Sequence, residues 1–350
     1  MIVPDCMITA GAGVAWAAAP GLRVAPGAVE GGGPMADGVD VAQGRSAGEG
    51  SGVRVPPPLR LARTRGELAA ERRLLTGRTA VVMTMGALHE GHATLFRQAR
   101  ASCDSLIVTI FLNPLQFGPD EDLAKYPRTL DADLALCARE GVDVVFAPSP
   151  DVVYPDGDPG IVLSAGGLGT VLEGASRPGH FDGVLTVVAK LLHLTRPDAA
   201  FFGQKDAQQL LLIRRMVRDL DFGVEIVPVP TVREPDGLAM SSRNSYLTAL
   251  DREVALTLSS ALREAELHAP EGASAVRRAA RDVLVREPLC RVDYLVLAHP
   301  DTLDDVPEWY RGEALLAVAA RVGATRLIDN ALLVVGRAPG SEPAPQDRPA

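Results

Sequence analysis

Residues 81–92 have the sequence VVMTMGALHEGH, in which an apolar run stops at Gly86 and is followed by His89 and His92. The apolar run predicts a buried strand. Residues 93–101 predict a helix, because apolar side chains recur among polar ones. A strand, a glycine turn and a helix start in this order are typical of a phosphate-binding site, since the amides of a helix N-terminus attract anions. Both histidines would face the same side of that helix start.

Two imidazoles in this position could donate to phosphoryl oxygens and stabilise negative charge that grows in a transition state. The helix N-terminus and the amides around Gly86 and Gly91 would add fixed donors. The helix dipole disfavours protonated histidine, so we do not expect both rings to be cationic. Two alternatives stay open. One is a metal site, although no third ligand has a convincing spacing, and the other is a pair of surface histidines at a helix cap.

The composition indicates a core built from Leu, Val and Ala, because 47% of residues are hydrophobic but only 4% are aromatic. The net charge of -9 argues against a nucleic-acid-binding surface, which needs a basic field. Cys6, Cys103, Cys137 and Cys290 have no CxxC spacing, so we expect reduced thiols. The apolar stretch 7–20 lacks the charged start of a signal peptide, and no later run reaches the roughly 18 residues of a membrane span. We therefore expect a cytoplasmic protein with no membrane or nucleic-acid partner.

Four segments are predicted along the chain. Residues 1–54, rich in Gly and Ala, bury too little apolar surface to fold and predict a disordered extension. Residues 55–231 alternate strands with helices, which predicts a parallel sheet covered on both faces. Residues 232–336 predict a smaller domain of helices and short strands, and residues 337–350 predict a disordered tail. The expected fold class is α/β, with a Rossmann-like parallel sheet followed by a smaller α+β C-terminal domain.

Residues 111–118, FLNPLQFG, follow a predicted strand and place Asn113 and Gln116 in a loop. Parallel sheets bind ligands beyond the carboxyl ends of their strands, so these uncharged amides could recognise a hydroxyl or carboxylate group. A plain Asn-Pro turn is the alternative. A later glycine-rich loop contains Arg177 and His180, which could face an anion or remain solvated.

Residues 203–209, GQKDAQQ, form a second junction of strand, glycine and helix. Lys205 can meet phosphates as a compact charge, and Asp206 suits the N-cap of the next helix. Gln209 lies three residues further on and could reach the same ligand. The alternative is a structural cap with a solvated lysine.

Residues 240–243, MSSR, lie in the loop 231–244 between the two predicted domains. Ser241, Ser242 and Arg243 supply two hydroxyls and a guanidinium that can surround phosphate oxygens. Taken alone, these residues would form an ordinary polar loop.

The string TMGALHEGH at residues 84–92 resembles the pantothenate synthetase family. Its H-x-G-H signature is shared across the nucleotidylyltransferase superfamily, which includes class I aminoacyl-tRNA synthetases. Residues 240–243 resemble the second signature of that superfamily, in the form typical of this family. The resemblance runs from residue 79 to residue 330 and departs at Met83, where the family usually has proline.

The resemblance implies a ligase that condenses pantoate with β-alanine through pantoyl adenylate. ATP, accompanied by Mg²⁺, would be consumed to AMP and diphosphate, and the family is generally a homodimer. Two other functions stay open. One is an adenylyltransferase that transfers AMP to a phosphate ester and stops, and the other is a nucleotide-binding regulator without catalysis.

The resemblance also implies roles for individual residues. His92 would be the proton donor, acting at the ATP phosphates with His89, Lys205, Ser241, Ser242 and Arg243. Gln116, Gln209 and Asn113 would bind pantoate or β-alanine, and no Mg²⁺ ligand is assigned. The implied ATP contacts are Met85, Gly86, Ala87, Leu88, His89, Glu90, Gly91, His92, Gly203, Gln204, Lys205, Asp206, Val232, Met240, Ser241, Ser242 and Arg243.

Overall fold

The computed structural model describes residues 59–336, apart from residue 120 and the side chain of residue 122. The predicted extension 1–54 and the predicted tail 337–350 lie outside the described residues.

Six parallel strands form the first sheet, in the order β1-β4-β3-β2-β5-β6. They are β1 Arg60–Ala62, β2 Thr79–Thr84, β3 Ser105–Ile110, β4 Val144–Phe146, β5 Ala199–Gly203 and β6 Glu225–Val229. The chain adds β3 and β4 on one side of β2, and then β5 and β6 on the other. The strand order therefore reverses beside β2, and the carboxyl ends of β2 and β5 open into one crevice.

Helices cover both faces of this sheet, as the apolar strands require. Helices α2 and α3 pack on one face around Phe96 and Val108, and helices α1, α6 and α7 pack on the other around Val81 and Val188. The helices are α1 Arg65–Leu74, α2 Glu90–Ser102, α3 Leu130–Arg139, α4 Pro150–Val153, α5 Glu173–Ser176, α6 His180–Thr195 and α7 Ala207–Asp219.

A second, antiparallel sheet follows, with strand order β7-β8-β9. Its strands are β7 Arg291–Ala298, β8 Gly312–Val322 and β9 Thr325–Val335. Helices α8 Ala249–Leu267 and α9 Ala273–Val285 cover one face. On the other face, Leu315 and Ala317 of β8 pack with Leu211 of α7, so the second sheet lies against the first part of the chain.

The predicted fold class is confirmed, and the differences are local. The three-residue strand β1 and the four-residue helices α4 and α5 were not predicted, because elements this short show no periodicity. Helix α2 begins at Glu90, three residues before the predicted start, because His89 caps it. The domain boundaries remain predictions.

Two chemical expectations can be compared with the described residues. Cys103, Cys137 and Cys290 are buried free thiols, whereas Cys6 lies outside the described chain. No helix between residues 59 and 336 combines the length and apolar character needed to cross a membrane.

Candidate active site

A buried carboxylate holds the turn after β2. Gly86 and Ala87 have left-handed backbone conformations, with φ of 89° and 51°. The amides of Ala87 and Leu88 donate to the carboxylate oxygens of Asp133, at 3.1 and 2.8 Å, and this α3 side chain is only 2% exposed. Asp133 thus satisfies two amides that the turn could otherwise offer to a phosphate. The prediction that the amides around Gly86 act as phosphate donors is wrong for these two.

Each histidine accepts a backbone hydrogen bond on one ring nitrogen. The amide of Gly91 donates to Nδ1 of His89 at 3.1 Å, and the amide of His89 donates to Nδ1 of His92 at 3.2 Å. An accepting Nδ1 carries no proton, so the proton of each neutral ring lies on Nε2. The ring centroids are 4.2 Å apart, and both rings line a cavity. Each ring therefore presents an Nε2–H donor, whereas the Gly91 amide is already used.

Burial keeps both imidazoles neutral. It is the main cause that lowers the pKa of His92 to about 3, and the neighbouring His89 adds to it. Burial and then the positive charge of Lys205 lower the pKa of His89 below its ordinary value of 6.5. We expected that the two histidines would not both be cationic, and the structure supplies desolvation as the main reason. At neutral pH the pair donates hydrogen bonds without adding net charge.

The side chain of Gln116 is fixed by its neighbours. Its Oε1 accepts from Nδ2 of Asn113 at 3.1 Å, and its Nε2 donates to the sulfur of Met85 at 3.0 Å. Asn113 is 1% exposed, its Oδ1 accepts from the Tyr154 hydroxyl at 2.9 Å, and its Nδ2 also donates to the Gly183 carbonyl at 3.2 Å. The polar atoms of Asn113 are thus used by the protein. Gln116 keeps one N–H and free lone pairs that can bind a ligand.

Helix α6 approaches the Gln116 loop so closely that only glycine fits at position 183. A Cβ on Gly183 would lie 2.2 Å from the carbonyl oxygen of Leu115 and 2.8 Å from the amide nitrogen of Gln116. Both are backbone atoms, which cannot move aside as a side chain could. The absence of a side chain at Gly183 therefore sets the position of Gln116.

Arg177 and His180 also brace this loop. Arg177 forms a bidentate ion pair with Glu121, with both N–O distances at 2.6 Å, and its Nη1 donates to Nε2 of His180 at 2.9 Å. Nδ1 of His180 donates to the carbonyl of Gln116 at 2.8 Å. Burial, and then the charge of Arg177, lower the pKa of His180 to about 4. Both side chains line cavities, but protein groups hold them, which neither sequence-based alternative anticipated.

Lys205 reaches the histidines because β5 is paired beside β2. Val82 and Phe201 are register partners, so the turn after β5 lies next to the turn after β2. Lys205 and Asp206 line the cavities at this point. No ion pair of the Lys205 ammonium is found with the part of the chain that the structure describes. Asp206 occupies the N-cap position of α7, but its side chain makes no capping hydrogen bond.

The adjacent glutamines of α7 differ in their surroundings. Gln208 is 5% exposed and is used entirely in the protein. Its Nε2 donates to the carbonyls of Leu168 and Val171, and its Oε1 accepts from the amide of Glu173. Gln209 instead lines both cavities. The structure thus distinguishes a structural glutamine from one that is available to a ligand.

A tight hairpin carries the Met-Ser-Ser-Arg loop to the start of α2. The amide of Met240 closes the hairpin by donating to the carbonyl of Val232 at 2.9 Å. A Cβ built on Gly91 would lie 3.6 Å from the Cβ of Met240. The hydroxyls of Ser242 and Tyr126 are 3.4 Å apart. The two signature segments, far apart in sequence, therefore meet.

Most predicted residues converge on two neighbouring cavities, of about 280 and about 880 Å³. The smaller lies at the ends of β2, β3 and β5, and the larger extends between α7 and the antiparallel sheet. The predicted residues in their walls are Met85, His89, Gly91, His92, Asn113, Gln116, Gly203, Lys205, Asp206, Gln209, Val232, Met240, Ser241, Ser242 and Arg243.

Five predicted nucleotide contacts are absent from these walls: Gly86, Ala87, Leu88, Glu90 and Gln204. The first two form the turn that Asp133 holds, and Leu88 packs in the core between α2 and the sheet. Glu90 is exposed and pairs with Arg97 along α2, away from the cavity. The carbonyl of Gln204 accepts from Asn330. These residues have contacts within the protein, and their direct contact with ATP remains a prediction.

Sequence-based reasoning missed Asp133, Gly183 and Asn330. Each of them contacts a partner that is distant in sequence. The only signal in the sequence was the residue type, since Asp and Asn can bond to backbone groups and Gly permits close approach of two backbones. Among the side chains that the structure describes, which exclude those of residues 120 and 122, no three or more His, Cys, Asp or Glu residues are grouped to hold a metal ion. The described residues therefore give no support to the alternative of a histidine metal site.

Paired imidazole donors at the end of one parallel strand, facing a lysine at the end of its neighbour, are the arrangement of the H-x-G-H class of nucleotidylyltransferases. The family within this class follows from comparison with known proteins. The family model described as pantoate-beta-alanine ligase matches residues 60–332, and the chain belongs to this family.

Relatives and solved structures agree with this assignment. The chain is 55% identical over 330 residues to pantothenate synthetase from Streptomyces avermitilis, covering 79% of this chain and 98% of that protein. It is 60% identical over 273 residues to the Salinispora arenicola enzyme, covering 77% of this chain and 96% of that protein. The crystal structure of pantothenate synthetase from Thermus thermophilus matches with a TM-score of 0.73 at 46% identity, covering 78% of this chain and 98% of that one.

A further structure was solved with ligands. It is the pantoate-beta-alanine ligase from Francisella tularensis, complexed with beta-gamma ATP and beta-alanine. It matches with a TM-score of 0.66 at 34% identity, covering 78% of this chain and 97% of that one.

Proposed function

We propose that this chain is a pantothenate synthetase that condenses pantoate with β-alanine at the expense of ATP. The observation that carries the proposal is the convergence of two Nε2–H donors, Lys205 and the amides of Gln116 and Gln209 on one cavity. Membership of the pantoate-beta-alanine ligase family supports it. The nucleotide and β-alanine in the Francisella tularensis structure give the matching ligand chemistry.

The first step activates the carboxylate of pantoate. A carboxylate oxygen attacks the α-phosphorus of ATP. The bond between the α-phosphorus and the oxygen that bridges it to the β-phosphorus breaks, and diphosphate leaves with that oxygen. The chain contributes positioning and charge stabilisation rather than covalent chemistry. We assign His89, His92 and Lys205, with Ser241, Ser242 and Arg243, to the phosphate oxygens. His92 would act as a donor through its Nε2–H.

The second step forms the amide. The amine of β-alanine attacks the carbonyl carbon of pantoyl adenylate, the bond between that carbon and the AMP oxygen breaks, and the nitrogen loses a proton. Activation is needed because hydroxide is a poor leaving group, whereas AMP leaves readily. Gln116 and Gln209 are proposed to hold pantoate through both steps. The backbones of Gly203 and Val232 would pack on the nucleotide.

We assign Asn113 a positioning role instead of the predicted contact with substrate. Asn113 is 1% exposed, and its Nδ2 orients Gln116 by donating a hydrogen bond to Oε1 of that side chain. Removing Asn113 would therefore act through the orientation of Gln116, and not through a lost ligand contact.

Mg²⁺ is proposed as part of the substrate, MgATP, because it binds nucleotide phosphates together with water and one or two protein oxygens. Homodimerisation and a cytoplasmic location are proposed from the family resemblance. The acidic net charge of -9 supports a small-molecule function without nucleic-acid partners.

The function is tested with purified protein, ATP, Mg²⁺ and pantoate, with and without β-alanine. We expect diphosphate in both reactions, and pantothenate with stoichiometric AMP only when β-alanine is present. Mass spectrometry and phosphate-specific detection identify the products.

Each competing function predicts a different result. An adenylyltransferase would release diphosphate with a phosphate-ester acceptor and form no pantothenate. A non-catalytic nucleotide binder would form none of these products. Either result would overturn the proposal.

A further inference from the structure

Strand β9 contacts both loops that surround the proposed nucleotide site. Asn330 donates through Nδ2 to the carbonyls of Lys205 and Gln204, at 2.7 and 3.1 Å. The neighbouring Asp329, which is 3% exposed, receives a bidentate ion pair from Arg233, at 2.6 and 3.0 Å. Arg233 lies at the base of the hairpin that carries the Met-Ser-Ser-Arg loop.

The two contacts lie on opposite faces of one strand. Successive side chains of a strand alternate between faces, so neighbouring residues can hold two different segments. Asp329 lies on the face that packs on α8, together with Leu327 and Leu333. Asn330 lies on the face directed toward the turn after β5. The amide of Asn330 also donates to Oδ1 of Asp329 at 2.8 Å, which links the two contacts.

We propose that Asn330 is a positioning residue that holds Lys205 at a fixed distance from the Met-Ser-Ser-Arg loop. Its side-chain amide donates to two successive carbonyls of the Lys205 turn. Charge-assisted hydrogen bonds from Arg233 to Asp329 attach the hairpin of the Met-Ser-Ser-Arg loop to the neighbouring position of β9. Strand β9 thereby sets the distance between the lysine and the hydroxyls that would share the triphosphate. The choice of triphosphate as ligand rests on the proposed function.

Hydrogen exchange without substrate tests the positioning directly. Asn330→Ala should speed the exchange of the amides in residues 203–209, because the turn loses both tethers. Leu332→Ala is the matched control, since Leu332 lies two residues further along the same strand and is 52% exposed. The control should leave exchange in residues 203–209 unchanged. Equal exchange in the Asn330→Ala variant and the wild type would overturn the inference.

Kinetics test whether Asn330 acts through Lys205. Asn330→Ala should lower the rate of diphosphate release by about 10²-fold, because a catalytic group misplaced by about 1 Å can cost that much. The KM for β-alanine should stay unchanged. In a Lys205→Ala background, Asn330→Ala should lower the rate by less than about twofold, since the group it positions is gone. Full additivity of the two substitutions would overturn the inference.

The isosteric variant Asn330→Asp provides a second test that does not depend on correct folding of Asn330→Ala. It keeps the volume but loses both donors, so it should reproduce the faster exchange and the slower diphosphate release. Wild-type behaviour of Asn330→Asp would overturn the inference. Failure of this inference can be told apart from failure of the proposed function. If the proposed function is wrong, the wild-type enzyme makes no pantothenate. The exchange experiment still tests the role of Asn330 in that case, because it needs no substrate.

Discussion

At His92 the backbone decides which form of the imidazole faces the cavity. The amide of His89 donates to Nδ1, so the proton of the neutral ring sits on Nε2. The pKa of about 3 keeps the ring in this form at neutral pH. In the proposed mechanism His92 would therefore stabilise phosphoryl charge as a neutral hydrogen-bond donor, without a cationic imidazolium.

This geometry makes two substitutions at His92 unequal. His92→Ala removes the donor and should slow diphosphate release by about 10²-fold or more. His92→Gln places an amide N–H near the former Nε2, so its loss should stay below about tenfold. Single-turnover measurements of pantoyl adenylate on both variants check this. Equal losses would show that the neutral-donor role is wrong.

At the scale of elements, the approach of α6 to the loop after β3 sets the position of Gln116, whose amide is proposed to bind pantoate. Gly183→Ala would place a Cβ 2.2 Å from the carbonyl oxygen of Leu115. The loop must then shift, so the KM for pantoate should rise by about tenfold or more and the free energy of unfolding should fall by about 1–3 kcal/mol. Steady-state kinetics and urea unfolding measure the two effects.

Gly160→Ala is the control for this substitution, because a Cβ at Gly160 meets no atom within 4 Å. It should leave both quantities unchanged. An unaltered KM for pantoate in Gly183→Ala would show that the contact does not position Gln116.

The alternation of strands and helices was sufficient to predict the parallel sheet, since long buried strands and amphipathic helices have distinct periods. The two signature strings located His89, His92 and Met240, because their chemistry is local in sequence. The tether between Asp133 and the turn after β2 could not be predicted, since the partners lie 45 and 46 residues apart. Residue type alone does not separate Gln208 from Gln209. Position and the family resemblance selected Gln209, but the structural role of Gln208 became visible only from its contacts with Leu168, Val171 and Glu173.

For the whole molecule, buried neutral histidines make stability depend on pH. The unfolded chain protonates His92 and His180 below about 6.5, whereas the folded chain does so only near about 3 and about 4. The unfolded state therefore binds more protons in this window, so the free energy of unfolding rises with pH through it. We expect stability to fall as pH is lowered from about 7 to about 5, as measured by urea unfolding.

Two substitutions test the origin of this slope. His92→Gln should flatten it, because one buried titrating group is removed. His268 is exposed and its pKa is raised, mainly by Glu271, so its contribution is lost as pH rises and opposes the others. His268→Gln should therefore steepen the slope. Stability that is constant between about pH 7 and about pH 5 would contradict the expectation.

The neutral state of the two imidazoles also bears on how the product leaves. A hydrogen bond from a neutral donor to an anion lacks the Coulomb attraction between opposite charges that a cationic donor would add. A pair of imidazolium ions would hold free diphosphate strongly and slow each catalytic cycle. With neutral rings, His89 and His92 would, in the proposed mechanism, stabilise the transition state and still release diphosphate once the bond is broken. In the proposed mechanism, burial of these side chains would therefore favour release of diphosphate over its retention.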